Sequence, residues 1–251
     1  MIDCHAHLSA QSSDIVQGEL ERARLAGIVG IVNVCTTPKE LEIGLELAKS
    51  TKEPKIYTAA STTPHDVTKA DPEFIHEIQA CKDELVAIGE TGLDYYYEHS
   101  PRKEQQASFR SYIELAIRTH LPLVIHCRDA FEDLFAIFDE YKSLPDVMLH
   151  CFTGSKDEAK QAQNRGFYIS LSGIVTFSKS KELQELSRYI SDDLLLLETD
   201  APYLAPQTKR GKKNEPSFIS ETFECVAHLR NTSKEHLVEL ASRNAKKLFR
   251  I

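Results

Sequence analysis

Two histidines near the start of the chain, His5 and His7, have the residue type and the spacing of metal ligands. Side chains alternate along an extended strand, so residues at i and i+2 project from the same face. Neutral imidazoles on one face can share a metal ion, and imidazole suits zinc, copper, iron and nickel. An isolated pair of this kind is more often accidental, so its meaning depends on what the rest of the chain places beside it.

The rest of the chain repeats one pattern, in which an apolar stretch ends in an acid or a histidine. The four residues that end such stretches are Glu90, His126, His150 and Asp200. Alone, each of the two histidines is more often a satisfied core residue, and each of the two acids is more often a helix cap or a surface group. A recurrence in four stretches indicates instead that these side chains share one location.

Eight apolar, β-branched stretches predict buried strands, and they alternate with segments of helical spacing. The predicted strands are 2–7, 28–34, 55–60, 85–90, 121–127, 146–151, 167–172 and 194–200, and the predicted helices are 14–26, 38–50, 71–82, 101–120, 129–143, 156–165, 181–190, 216–229 and 233–249. Such alternation forms right-handed βαβ units and a parallel sheet. We therefore predict an α/β fold, a (β/α)8 TIM barrel that occupies residues 1–251 as a single domain. An open doubly wound sheet is the alternative, but no Gly-x-Gly-x-x-Gly follows the first strand.

In a parallel barrel the C-terminal ends of the strands form the active-site face. Six polar side chains are expected to converge there: His5, His7, Glu90, His126, His150 and Asp200. Burial without partners would cost them several kcal/mol, and metal coordination is the simplest compensation. They exceed the three protein ligands of one catalytic zinc and suit two ions about 3.5–4 Å apart, with Glu90 as the bridging carboxylate. Such a pair lowers the pKa of water, which predicts metal-assisted hydrolysis. Glu198 is expected to lie deeper and to orient a ligand.

Composition and charge limit the remaining possibilities. Hydrophobic residues make up 41% and charged residues 27%, an ordinary globular balance. No apolar run approaches the roughly 20 residues of a membrane span, and no secretory signal is evident, so we expect a cytoplasmic protein without a membrane partner. The net charge of −8 gives no support to a nucleic-acid partner, and the basic run 209–213 is most often a solvated loop. Without paired spacing among the six cysteines, we interpret Cys127 and Cys151 as small buried hydrophobes behind the site.

Several motifs resemble those of the TatD family of metal-dependent deoxyribonucleases, and they cover essentially the whole chain. They are Asp3-Cys4-His5-Ala6-His7, Gly89-Glu90-Thr91-Gly92-Leu93-Asp94-Tyr95, His126-Cys127-Arg128-Asp129-Ala130, His150-Cys151-Phe152-Thr153-Gly154, Glu198-Thr199-Asp200-Ala201-Pro202-Tyr203, Asn214-Glu215-Pro216 and Asn244-Ala245-Lys246-Lys247-Leu248-Phe249. The resemblance implies a TIM barrel with two divalent cations (magnesium, manganese or zinc) that hydrolyses phosphodiester bonds in DNA. A 3′→5′ exonuclease acting on single strands or 3′ ends, with no obligate protein partner, is the activity we expect.

The resemblance also implies a role for each residue. His5, His7, Glu90 and Asp200 would hold one ion, and Glu90, His126 and His150 would hold the other. Asp200 would also orient the attacking water and accept its proton. The substrate-binding residues would be Arg128, His65, Arg210 and Asn214, with a structural salt bridge as an equal alternative for Arg128. Thr63 stands where the family usually carries the first histidine of His-Pro-His, so only His65 matches that motif.

Two alternatives remain open at this point. The first is an amidohydrolase-type esterase or amidase, such as an aminoacyl-tRNA deacylase. Many enzymes of that type bridge their metals with a carboxylated lysine on strand 4, where this chain has Glu90. The second is a non-catalytic barrel that binds a ligand, although none of the six ligand residues is missing.

Overall fold

The computed structural model describes all 251 residues. Its strands are β1 Ile2–Ala6, β2 Gly30–Cys35, β3 Lys55–Ala60, β4 Ala87–Asp94, β5 Leu123–Arg128, β6 Val147–Leu149, β7 Tyr168–Leu171 and β8 Leu195–Leu197. Its α-helices are α1 Ser13–Leu25, α2 Pro38–Ser50, α3 Phe74–Ala80, α4 Arg102–Thr119, α5 Phe131–Phe138, α6 Lys156–Asn164, α7 Lys181–Tyr189, α8 Ile219–Leu229 and α9 Lys234–Phe249. None of these helices is long and apolar enough to cross a bilayer.

All eight strands form one parallel sheet in the order β1 to β8. The first and last strands meet at the end of β1, where Ala6 forms a parallel bridge with Ala201, which follows β8. The amide of His7 donates to the carbonyl of Ala201 at 2.7 Å. The sheet therefore curls into a barrel, and the predicted (β/α)8 TIM-barrel fold is confirmed. Each predicted strand and helix is present, with most ends shifted by one to three residues.

Burial follows the expected layers of a barrel. One buried cluster takes at least one side chain from every strand, together with residues of α9, and so fills the barrel interior. The larger cluster lies between the outward strand faces and the helices. Val124 and Met148 of the inner cluster each lie two residues before a histidine, so strand alternation turns His126 and His150 toward the same interior.

A buried carboxylate fastens the last strand to the first. Asp3 Oδ2 accepts from the hydroxyl of Thr199 at 2.6 Å, and Asp3 Oδ1 accepts from the amides of Thr199 and His5 at 2.9 and 3.3 Å. All of these groups are buried, so the carboxylate satisfies donors that have no access to water. Asp3 thus fixes the backbone that precedes Asp200 relative to the strand that carries His5.

Removal of this carboxylate is expected to destabilise the fold. In Asp3→Ala the amides of Thr199 and His5 lose their acceptor, and each buried unsatisfied donor costs about 1–3 kcal/mol. We expect the free energy of unfolding in urea to fall by about 3 kcal/mol. Asp3→Asn keeps an acceptor and should lose less, and equal stability of the alanine variant and the parent would contradict the role assigned to Asp3.

Candidate metal centre

A distortion of β4 aims Glu90 into the barrel. The pairing of β4 with β5 is regular up to Gly89 and resumes one residue out of step at Thr91, so Glu90 sits at a bulge. The flanking glycines have φ of 155° at Gly89 and 138° at Gly92, conformations that other residues rarely adopt. A Cβ at position 92 would lie 2.0 Å from the carbonyl oxygen of His126, so glycine also permits the close approach of β5. Bulges of this kind re-aim a side chain beside a site.

The two carboxylate oxygens of Glu90 face two different histidine pairs. Oε2 lies 3.4 Å from Nε2 of His5 and 3.4 Å from Nε2 of His7. Oε1 lies 2.9 Å from Nδ1 of His126 and 3.0 Å from Nε2 of His150. Within each pair the ring nitrogens are 3.1 and 3.2 Å apart. The side chain therefore stands between two adjoining sets of donor atoms.

Asp200 completes the set around the first histidine pair. Its Oδ1 lies 3.7 Å from Nε2 of His5 and 3.5 Å from Nε2 of His7. Asp200 follows β8 in a left-handed conformation, with φ of 60°, and its amide donates to the carbonyl of His5 at 2.9 Å. The structure thus brings together all six residues for which the sequence predicts convergence.

The donor set fits divalent cations. Ligand atoms that share one tetrahedral ion at about 2.0–2.2 Å lie roughly 3.3–3.6 Å from one another. The oxygens of Glu90 lie at similar distances, 2.9 to 3.4 Å, from the four histidine nitrogens. His5, His7 and Asp200 present atoms close enough to hold one ion, and Glu90, His126 and His150 present atoms close enough to hold another. Four imidazole nitrogens and two carboxylates are ligands that zinc and manganese accept.

Two further carboxylates orient the second histidine pair. Nδ1 of His150 lies 3.2 Å from Oε1 of the buried Glu198, as predicted for that residue. Nε2 of His126 lies 2.8 Å from Oδ2 of Asp94, a partner that the sequence interpretation did not assign. When the outer carboxylate accepts from one ring nitrogen, the nitrogen on the Glu90 side is the one that gives up its proton to a cation and offers its lone pair. Each outer carboxylate thereby selects the tautomer that a metal ligand requires.

Loss of the Asp94 carboxylate is expected to weaken cation binding at the His126 side of the centre. Outer partners of ligating histidines contribute about 10- to 100-fold to metal affinity. We expect cation affinity to fall by this factor in Asp94→Asn, as measured by competition with a chelating dye. Asp133→Asn is the matched control because its carboxylate accepts from Tyr95 at 2.7 Å, away from the histidines. Unchanged affinity in Asp94→Asn would show that Asp94 has no such role.

When no cation is bound, the carboxylates raise the pKa of His7, His126 and His150 and so favour their protonated forms, whereas burial and the charge of His150 lower the pKa of His5. Burial opposes protonation of His7, but hydrogen bonds to Asp200 and Glu90 outweigh it and raise its pKa to about 10. Burial also opposes protonation of His150, yet Glu90 and Glu198 raise its pKa well above the usual value. Burial works against ionised Glu90, but the charge of His150 and further histidine contacts hold its pKa well below the usual range.

Cation binding should therefore release protons. A histidine must be neutral to ligate, so each raised pKa makes a proton compete with the metal. The affinity should rise with pH, about tenfold per unit for each displaced proton, until the pH passes the imidazole pKa, which is about 10 for His7. Calorimetric titration at pH 7 and 8, in buffers of different ionisation enthalpy, measures the released protons directly. An affinity independent of pH would contradict this arrangement.

The four predicted substrate-binding residues have different surroundings. The guanidinium of Arg128 stacks 3.7 Å from the centroid of the Tyr96 ring. No carboxylate lies within 4.0 Å of it, so the alternative of a structural salt bridge is not formed. Nε2 of His65 lies 3.7 Å from Asp94 Oδ2, beside the site. Arg210 is exposed on the loop after β8, with its guanidinium 5.0 Å from the ring centroid of Phe177.

The prediction for Asn214 requires correction. Its side chain is buried, and its amide donates to the carbonyls of Thr199 at 2.9 Å and Tyr203. Its Oδ1 accepts from the amide of Glu215 at 3.0 Å. With these polar atoms committed to backbone groups, Asn214 supports the loop after β8 and does not present itself to a substrate.

Cys127 and Cys151 differ in their surroundings. Cys127 is buried on β5, in the role expected for it. Cys151 follows β6 in a left-handed conformation with φ of 43°, so the strand alternation used to place it does not apply. Its Sγ lies 3.1 Å from Oγ of Ser172, and its amide donates to Glu198 at 2.8 Å. Cys151 therefore adjoins the site.

A parallel barrel with four imidazoles and two carboxylates at the C-terminal ends of its strands defines the class of TIM-barrel metal-dependent hydrolases. Residues 2–250 match the model of the TatD-related DNase family, and the chain belongs to this family. The uncharacterized metal-dependent hydrolase YabD of Bacillus subtilis is 38% identical and aligns over 100% of this chain and 99% of its own length. The 3′-5′ ssDNA/RNA exonuclease TatD of Salmonella typhimurium is 35% identical over 92% of this chain and 91% of its own.

The fold comparison agrees with the sequence comparison. The crystal structure of YJJV, a TatD homologue from Escherichia coli K12, matches with a TM-score of 0.93 at 25% identity and covers 100% of this chain and 98% of that chain. The predicted family and enzyme class, a metal-dependent hydrolase, are thereby confirmed.

Proposed function

We propose that this protein is a dinuclear metal-dependent nuclease that hydrolyses phosphodiester bonds in single-stranded DNA from the 3′ end. The observation that carries the proposal is the position of Glu90, whose two oxygens each face a separate histidine pair. A carboxylate so placed suits two cations on either side of it, an arrangement that serves in-line displacement at phosphorus. The name of the Salmonella relative supports the choice of strand type and polarity.

His5, His7, Glu90 and Asp200 would hold one cation, and Glu90, His126 and His150 would hold the other. When bound, the cations would neutralise charge on the phosphate and lower the pKa of a coordinated water to about 7. Glu90 holds the two histidine pairs at a fixed separation, which Asp94 and Glu198 maintain from outside. This support keeps the reacting groups in one geometry before the substrate arrives.

Asp200 is placed to take the proton of the attacking water. Burial opposes its ionisation, but contacts with His7, His5 and His150 lower its pKa, so it is a carboxylate at neutral pH. As the water oxygen bonds to phosphorus and the bond to the leaving 3′ oxygen breaks, the proton passes to an oxygen of Asp200. The leaving oxygen takes its proton from solvent, and the products are a 5′-mononucleotide and a strand shorter by one nucleotide.

Arg128 is placed to bind a substrate phosphate. It lies two residues after His126, and its N–H groups have no carboxylate partner while its guanidinium face is stacked on Tyr96. A guanidinium held flat in this way presents a bidentate fork to phosphate oxygens. It supplies local positive charge that the net charge of −8 conceals.

The experiment that tests the proposal is cleavage of 5′-labelled oligonucleotides after reconstitution with magnesium, manganese or zinc in turn. We expect a ladder that shortens from the 3′ end, faster on a single strand than on a duplex, and a block by a 3′-terminal phosphorothioate linkage. Internal fragments would indicate an endonuclease instead. Release of amino acid from aminoacyl-tRNA, with no nucleotide released, would replace the proposal with the esterase alternative.

A further inference from the structure

Exposed aromatic side chains flank the candidate metal centre on two sides. Eight large hydrophobic side chains of the chain are exposed, and four of them lie in the loops that follow β4 and β8: Tyr96, Tyr97, Tyr203 and Leu204. Glu90 lies on β4, and Asp200 follows β8. Aromatic rings left in water lose the stabilisation of burial, and a concentration of them beside a cleft marks a binding surface.

The two tyrosines after β4 are attached to the site through their backbone. The amides of Tyr96 and Tyr97 donate to Oδ1 of Asp94 at 3.1 and 2.7 Å, while Oδ2 of the same carboxylate faces His126. Tyr96 and Tyr97 are 57% and 52% exposed. One carboxylate therefore holds both a histidine of the centre and the turn that carries the rings, so their relative position is fixed.

The rings of this turn belong to a larger aromatic surface. The Tyr97 ring stacks on His99 at 5.4 Å and 12°, and His65 lies between Tyr97 and His126, with ring centroids 5.8 and 5.3 Å away. His99 is an exposed loop histidine to which the sequence interpretation gives no role. The surface runs without interruption from the centre to the outside of the loop.

On the opposite side of the centre, Tyr203 borders the first histidine pair. Its ring centroid lies 5.7 Å from that of His7, and its amide donates to the carbonyl of Asp200 at 2.8 Å. The ring is 56% exposed. Tyr203 is thus held to the centre by its amide, which donates to a backbone carbonyl and not, as in Tyr96 and Tyr97, to a side-chain carboxylate.

We propose that Tyr97, with His99, and Tyr203 form two subsites that stack the unpaired bases on either side of the scissile phosphate. Every base has a π-face, so stacking on aromatic rings accepts any sequence but requires bases that are free of a partner strand. The Arg128 guanidinium lies 3.7 Å from the Tyr96 ring centroid and 4.9 Å from that of Tyr97, so it would engage a phosphate beside the Tyr97 subsite. This inference rests on the proposed nuclease function and assigns the single-strand preference to particular side chains.

The test separates bases from backbone charge. Binding of fluorescent octathymidylate, and of an abasic octamer with the same number of phosphates, is measured by anisotropy in the presence of a chelator, so that no turnover occurs. We expect the parent to bind the thymidylate more tightly than the abasic strand. Tyr97→Ala and Tyr203→Ala should each weaken thymidylate binding by about 5- to 150-fold and leave binding of the abasic strand unchanged.

Two comparisons control for folding and for general surface effects. Tyr97→Phe and Tyr203→Phe keep the ring and should restore parental affinity. Tyr189 is another exposed tyrosine, and the Nζ of Lys156 lies 4.7 Å from its ring centroid. Tyr189→Ala should bind both strands with parental affinity.

The outcomes distinguish this inference from the function on which it rests. Equal affinity for thymidylate and abasic strands, or parental affinity of both alanine variants, would overturn the stacking subsites even if the parent degrades DNA. Base-dependent binding without cleavage under any metal would support the subsites and overturn the nuclease proposal.

Discussion

Glu90→Gln is expected to lower the rate of phosphodiester hydrolysis by about 10³-fold or more. A neutral amide cannot serve two cations at once, and cation stabilisation of the reaction is worth several kcal/mol, with each 1.36 kcal/mol equal to a factor of ten. The glutamine has the same shape as the glutamate that lies between the two histidine pairs. We therefore expect the fold to survive while the loss appears in kcat and in the number of cations bound.

The measurement combines single-turnover cleavage of a labelled oligonucleotide with metal analysis of the same sample. The matched control is Glu19→Gln, a second buried glutamate that lies on α1 and accepts from Gln11 at 2.9 Å. The control should retain activity and metal content. A fully active Glu90→Gln protein that binds two cations would show that the Glu90 carboxylate is not needed to hold them.

Asp200→Asn is expected to lower kcat by about 10²- to 10⁴-fold, the usual range for a lost general base. An asparagine still offers an oxygen toward His5 and His7, where Oδ1 of Asp200 lies now, but it accepts no proton. The loss should therefore exceed any change in KM. It should also shrink as the pH rises, because hydroxide then replaces the missing base.

A pH profile of kcat distinguishes this role from a purely structural one. If Asp200 only supported the loop after β8, Asp200→Asn would show a loss independent of pH together with a lower free energy of unfolding. Asp133→Asn, on the outer side of the barrel, is the control and should follow the parental profile. A kcat unchanged from the parent at every pH would contradict the proton-accepting role.

The sequence predicts the barrel and the convergence of six residues because both follow from repetition. Eight apolar stretches alternating with amphipathic segments admit few topologies, and a parallel barrel gathers its C-terminal strand ends at one face. To predict that His126, His150 and Asp200 converge, it is enough to know that each lies near the C-terminal end of a strand. An error of one to three residues in the predicted strand end does not change this. The bridging role of Glu90 stays a prediction, and the observation behind it is that its two oxygens face separate histidine pairs.

The surroundings of the centre could not be read in the same way. Beyond the bulge at Glu90, β4 continues to Asp94, so the strand is longer than the sequence predicts. Hydrophobic periodicity does not predict a bulge, and the only sign of it in the sequence is the pair of glycines at 89 and 92. The exposed tyrosines depend on a turn in which the side chain of Asp94 accepts from the amides of Tyr96 and Tyr97. The basic loop predicts a substrate contact for Asn214, and its hydrogen bonds to the carbonyls of Thr199 and Tyr203 are visible only in the folded chain.

Manganese soaked into crystals of the protein would show whether Glu90 lies between two cations. Anomalous scattering from manganese locates each ion without reference to a model of the reaction. We expect two peaks about 3.5–4 Å apart, one beside His5, His7 and Asp200 and the other beside His126 and His150, with an oxygen of Glu90 facing each. A single peak, or two peaks that do not lie on either side of Glu90, would show that Glu90 does not bridge two cations.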